Sequence, residues 1–230
     1  MGQDGKNSPV HPLLGEDLTY LAGKLTTIMG PAGPLRRELV LRLLSTAASR
    51  TTVLFLHSRL HFPIDRLKEI TGGDTQRLQN IRLLYLSDFL LQERAISGCE
   101  FLIAKNNIRY LFLDSPLDNY IDALSVRWNV SSALKATHSS LIKQLATLRE
   151  ISIGRDVGAF FILDSNDSKT AITKYAVDLW PDIVIEIEQL EPRAGRLTIR
   201  KKPDHEPVRS FDVALKGEGK EMEWREPEHV

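Results

Sequence analysis

A chain of 230 residues is long enough to bury one substantial core, and its 30 basic and 30 acidic side chains leave a formal net charge of zero. That balance excludes nucleic-acid binding through an overall positive field, so any such binding needs a local patch. A single cysteine, Cys99, excludes an intrachain disulfide, and the apolar runs fall far short of the ~20 residues that span a bilayer.

Residues 1–16 are rich in Gly, Pro, Asn and Asp and read as a flexible lead-in. No basic stretch followed by an apolar one stands there, so no signal peptide is expected. "KLTTIM" (24–29) reads as a short strand, and "LRRELVLRLLSTAA" (35–48) repeats leucine at helical spacing. "TTVLFLH" (51–57) is β-branched and apolar, as a buried strand is, and "DRLKEI" (65–70) is a short helix closed by Gly72-Gly73. "IRLLYL" (81–86) is a third strand, after which Ser87 or Asp88 caps a helix running to about Lys105. "RYLFLD" (109–114) is a fourth strand, a long amphipathic helix covers roughly 120–152, and "GAFFILD" (158–164) is a fifth strand.

Beyond residue 180 the period changes from that of helices to two. "DIVIEIEQL", "GRLTIRKK" and "VRSFDVAL" alternate apolar and polar residues, with turns at "EPRAG" and "PDHEP". That is an antiparallel meander with one wet face. The chain is therefore expected to be α/β: a mainly parallel sheet with helices on both faces, extended by antiparallel strands. Residues 17–216 form the core domain and 217–230 a polar tail.

The turn after the first strand, "MGPAGPLRREL" (29–39), can be laid on the phosphate-loop pattern G-x-x-x-x-G-K-[ST]. Gly30 matches the first glycine. Leu35 stands at the second glycine, Arg36 at the lysine and Arg37 at the hydroxyl; Gly33 lies between. A phosphate loop needs a bare backbone that curls with its amides inward, a lysine for the β- and γ-phosphates, and a hydroxyl for Mg²⁺. Leu35 carries a branched side chain, Pro34 has no N–H, and Arg37 places a fixed charge at the metal position. Together these argue against Mg-ATP. Two readings of "PLRREL" remain: a good helix start with Pro34 at the first position, or a retained anion site of Arg36, Arg37 and helix-end amides.

Several stretches in order resemble archaeal RadA and RadB, recombinases of the RecA superfamily. "FPIDRLKEITGGDTQRLQNIRLLYLSDFLLQERAI" (62–96) is similar to the segment after their second strand, and "RYLFLDS" (109–115) to their Walker B strand. "SSLIKQLATLREISIGRDVGAFFILDSN" (139–166) resembles the helix and strand before their second DNA-binding loop, and residues 176–213 resemble their closing meander. RadB is the nearer in kind, because it too lacks the N-terminal helical domain of RadA; small Shu-complex-type paralogues are also similar in size and style. The resemblance implies a RecA-type P-loop ATPase core with a degenerate Walker A loop.

The resemblance also places the family's catalytic glutamate near Ser58-Arg59, where no carboxylate stands, and makes Asp114 the Walker B aspartate. For Asp114 a structural role at a strand end competes with a metal role. Two regions correspond to the family's DNA-facing loops. One follows Asp114 and carries Arg127, Trp128 and Lys135; the other, "NDSKTAITK", carries Lys169 and Lys174. Basic residues beside an aromatic suit single-stranded DNA. The competing reading makes Arg127, Lys135 and Lys143 the wet face of a helix and Trp128 core.

Other residues carry weaker signals. His57 and His61 lack neighbouring ligands for a metal, Cys99 lacks a cation beside it, and no G-x-S-x-G elbow exists. The densest basic run, "RLTIRKK" (196–202), reads as edge-strand protection or a docking surface. The expectation is a non-catalytic RadB-like paralogue that assists homologous recombination by binding a recombinase or paralogue partner, single-stranded DNA, or both. It needs no cofactor or metal and forms no filament alone. Its place is intracellular: cytoplasmic if archaeal, nuclear if eukaryotic. Its rivals are a weak or atypical ATPase and a pseudo-ATPase scaffold that only pairs with an active homologue.

Overall fold

The computed structural model describes residue 18 and residues 21–127, 131–165, 180–202, 206–217 and 221–225. In chain order these form β1 (Leu25–Gly30), α1 (Pro34–Ala48), β2 (Thr52–His57), α2 (Ile64–Ile70), α3 (Thr75–Gln79) and β3 (Ile81–Tyr85). There follow α4 (Phe89–Asn106), β4 (Ile108–Asp114), α5 (Pro116–Arg127), α6 (Ser131–Arg155) and β5 (Gly158–Asp164). Four strands close the series: β6 (Ile183–Glu191), β7 (Ala194–Lys201), β8 (Glu206–Lys216) and β9 (Glu221–Arg225). One sheet contains them all, in the order β3-β2-β4-β5-β1-β6-β7-β8-β9. Every pairing from β3 to β6 is parallel, and those from β6 to β9 are antiparallel.

Alternation along the central strands divides the core into two layers. Val53, Phe55, Phe112, Phe160 and Ile162 face α1 and α2, whereas Leu54, Leu56, Leu111, Leu113, Phe161 and Leu163 face α4, α5 and α6. Under α1, Phe112 and Phe160 stack with ring centroids 4.4 Å apart. Helix α1 is buried around most of its circumference, because its outer side carries α2 and α3. Across that contact Glu38, 4% exposed, accepts from Arg42 Nε at 2.8 Å and from Arg66 Nε and Nη2 at 2.9 and 2.7 Å. A carboxylate taken out of water needs such partners, and these fix α2 on α1.

The helix ends follow ordinary capping chemistry. Asp88 Oδ1 accepts from Leu91 N at 2.8 Å at the start of α4, and Asn107 closes that helix at φ 50°. Parallel register aligns the C-terminal ends of the strands: Gly30 lies opposite Asp164, and His57 opposite Asp114. That rim is where open α/β sheets place ligands.

The structure departs from the sequence reading in four places. The helix expected over 120–152 is two helices, α5 and α6, so the stretch after Asp114 that was read as a DNA-facing loop is largely helical. A short α3 follows Gly72-Gly73, its cap Asp74 accepting from Arg77 N at 3.1 Å. The polar stretch 217–230 contains β9, whose Met222 and Trp224 pack on the core. "RLTIRKK" is mostly β7, an interior strand: Arg196 pairs with Asp212 at 2.9 Å and Arg200 with Glu186 at 2.8 Å. These pairs line the wet face of the meander and protect no edge.

Candidate functional site: a closed loop at the end of the first strand

The turn from β1 into α1 is narrow because of what crosses it. A Cβ on Gly30 would lie 2.6 Å from Ile187 Cβ of β6, so only glycine allows this approach. Gly33 needs no such freedom: it caps α1 in extended geometry, at φ −167° and ψ 177°. Pro34 opens the helix at its first position. Leu35 turns into the core, 2% exposed, and a Cβ added to Gly195 of β7 would meet its Cδ2 at 2.9 Å. The side chain at the second-glycine position is therefore a packing residue between α1 and β7.

Arg36 turns inward as well. It is 4% exposed, and its Nη1 donates to Gly30 O at 2.8 Å and to Leu163 O at 2.6 Å. Its Nη2 lies 3.8 Å from Asp164 Oδ2, which also accepts from Ala32 N at 3.0 Å. The guanidinium thus occupies the carbonyl ends of β1 and β5, and Asp164 holds an amide of the loop. Burial lowers the Arg36 pKa from its ordinary value, and Asp114 and Asp164 oppose that change. An arginine held this way is a strut across the strand ends, with its Nη1 committed to two backbone carbonyls.

The cleft above the strut has a volume of about 340 Å³ and is lined by Arg36, Arg37, His57, Arg59, Phe62 and Asp114, among others. Arg37 is exposed at its edge. Asp114 accepts from Ser115 Oγ at 3.1 Å, and burial raises its carboxyl above the ordinary range against the pull of Arg59 and Arg36. Ser115 holds φ 54° while 2% exposed, its N–H donating to Ile162 O at 3.0 Å and its O accepting from Ser58 Oγ at 3.0 Å. These contacts give Asp114 a structural setting at a strand end.

Ser58 and Arg59 follow β2 without a carboxylate. Arg59 Nε meets Asp118 Oδ2 of α5 at 3.6 Å. Among the described residues no three of His, Cys, Asp or Glu converge as a metal site would require. His57 is buried against Phe55, Phe62 and Tyr85, and burial pushes the Cys99 thiol up to about 12.

Of the DNA-facing candidates, Arg127 ends α5 and Lys135 is exposed on α6, while Trp128, Lys169 and Lys174 lie outside the described residues. The structure thus brings Gly30, Leu35 and Arg36 together with Asp114 at one rim and sets Arg37 at the cleft's edge. Sequence reasoning missed Asp164 and the Glu38–Arg66 pair. The signal for Asp164 was available: "FILD", like "LFLD", is an apolar strand that ends in aspartate at the same rim. No protein-family model matches the chain, and no curated protein matches it.

Proposed function

We propose that the chain is a RecA-type recombinase paralogue, similar in kind to RadB, that performs no phosphoryl transfer and assists homologous recombination by binding a recombinase partner, with single-stranded DNA as a second ligand. The strand order β3-β2-β4-β5-β1, with the loop after β1 facing an aspartate at the end of β4, supports a RecA-type core. The observation that carries the loss of chemistry is Arg36. Phosphoryl transfer rests on positioning and charge neutralisation by a lysine, a metal and a water-orienting group. Here the residue at the lysine position bonds to Gly30 O and Leu163 O, and the second-glycine position is a buried leucine.

With nucleotide chemistry gone, what remains for such a fold is binding. Lys135 on α6, together with Arg127, Trp128, Lys169 and Lys174, supplies the basic and aromatic residues that a single strand uses. Two measurements separate the readings. Calorimetry with ATP and Mg²⁺ gives no saturable heat if the loop is closed. Anisotropy with labelled oligothymidylate at low and moderate salt then divides a DNA-binding paralogue from a scaffold that only pairs with an active homologue.

A further inference from the structure

The cleft keeps positive charge that the chain does not consume. Arg36 is held by Gly30, Leu163 and Asp164, but the Arg37 side chain has no hydrogen bond or ion pair among the described residues. Arg59 reaches Asp118 only at 3.6 Å, with 44% of its side chain exposed. Three arginines, Arg36, Arg37 and Arg59, line the cleft beside one carboxylate, Asp114. Next in the chain to the lining residues Arg59 and Pro63 stand two exposed aliphatic side chains, Leu60 at 78% and Ile64 at 40%. A small inorganic anion gains nothing from Leu60 and Ile64, and neither side chain offers a base the aromatic face on which it stacks. An occupant that uses both features carries a carboxylate and an aliphatic group close together.

We propose that this cleft is a docking site for an acidic peptide segment of a protein partner, its carboxylate held by Arg37 and Arg59 and its aliphatic side chain covering Leu60 and Ile64. The inference rests on the reading of the loop as closed to nucleotide, and it names the chemistry of the partner that such a module would take. Charge complementarity carries it: cations that are exposed, and unpaired or weakly paired, lose little on docking and reject a basic segment.

The test uses the full chain. A random-peptide library is selected on the wild type and on the Arg37→Glu/Arg59→Glu variant, and the peptides enriched only on the wild type are synthesised with a fluorescent label. Expected are peptides with Asp or Glu beside Leu, Ile or Met. Their affinity should fall ~10-fold or more in the double charge reversal, since a charge-assisted pair contributes on that order. It should also fall in Leu60→Ser, a change that leaves every charge in place. Both variants alter exposed side chains, and an unchanged thermal midpoint verifies the fold. No enrichment over the variant, enrichment of basic peptides, or displacement of nothing but bound inorganic pyrophosphate or oligothymidylate would each overturn the proposal. A parallel titration with Mg-ATP separates the two failures: saturation by Mg-ATP removes the closed-loop reading and this inference with it, whereas absence of both nucleotide and acidic-peptide binding removes this inference alone.

Discussion

Arg36 and Leu163 lie 127 positions apart, yet the guanidinium of one donates to the carbonyl of the other at 2.6 Å. With the second bond to Gly30 O, this ties the first turn of α1 to the ends of two neighbouring strands. In an active phosphate loop the residue at this position faces outward to the β- and γ-phosphates; here it braces the fold.

Removing the strut should therefore cost stability. Arg36→Ala leaves two buried carbonyls without their donor and Asp164 without a nearby cation, and a loss of ~2–4 kcal/mol is expected from buried polar groups stripped of a partner. Urea denaturation of the variant checks this. Arg36→Lys, which recovers the phosphate-loop lysine, should also destabilise and should gain no nucleotide binding, because Leu35 and Arg37 remain.

Two glycines, Gly195 of β7 and Gly33 of the loop, should respond differently to substitution. Gly195→Ala sets a Cβ 2.4 Å from Glu188 O and 2.9 Å from Leu35 Cδ2; overpacking of this kind costs ~1–3 kcal/mol. Gly33→Ser meets only the end of the Gln189 side chain at 3.3 Å and places a capping hydroxyl at the start of α1. Its effect should lie within ~0.5 kcal/mol of neutral, on the stabilising side. Thermal midpoints of the two variants decide the contrast. A loop built to wrap phosphate would not tolerate the Gly33 change.

Much of this was legible in the sequence. Short apolar runs locate the first five strands, period two the next three and helical spacing most helices, because burial on both faces or on one leaves a different mark in each. Strand β9 was hidden because Met222 and Trp224 alternate with Glu221, Glu223 and Arg225 inside an acidic, glycine-bearing stretch, so composition masked the pattern. The break between α5 and α6 left no glycine or proline to mark it. The identity of Leu35, Arg36 and Arg37 was plain, but their directions were not. Whether Arg36 faces a phosphate or a carbonyl depends on Leu163 O and Asp164, supplied by a strand far along the chain. The Glu38–Arg66 pair, 28 positions apart, was invisible for the same reason.

Two aspartates should give opposite pH dependence. Burial raises Asp114 above its ordinary range, so the folded state binds its proton more readily than the unfolded chain. Its contribution to stability therefore increases as pH falls through the raised value toward about 3.9, the ordinary carboxylate value. Asp88 is held low, chiefly by the Leu91 N–H, so its contribution is present above the ordinary value and lost as pH falls through the depressed one. Asp114→Asn should then raise the thermal midpoint at neutral pH and flatten the acid limb, whereas Asp88→Asn should lower it at neutral pH, with the deficit fading as pH falls through the depressed Asp88 value. Midpoints measured across pH for both variants test the signs.

If single-stranded DNA is bound, few phosphates are involved and the salt slope is shallow, ~0.7 per contact on the logarithmic scale. Lys169→Glu with Lys174→Glu should weaken binding strongly while leaving the thermal midpoint nearly unchanged. Trp128→Ala separates stacking from packing: lost binding with intact stability indicates stacking, worth ~1–3 kcal/mol per base, and lost stability moves Trp128 to the core. Anisotropy and thermal melts on the same samples read both.

The central claim is that Arg36 and Leu35 close the loop to nucleotide. Titration calorimetry of the pure chain with ATP and Mg²⁺ tests it most directly. The account predicts no saturable heat for the wild type or for Arg36→Lys. A one-to-one isotherm with a dissociation constant in the low micromolar range, abolished by Arg36→Ala, would contradict it.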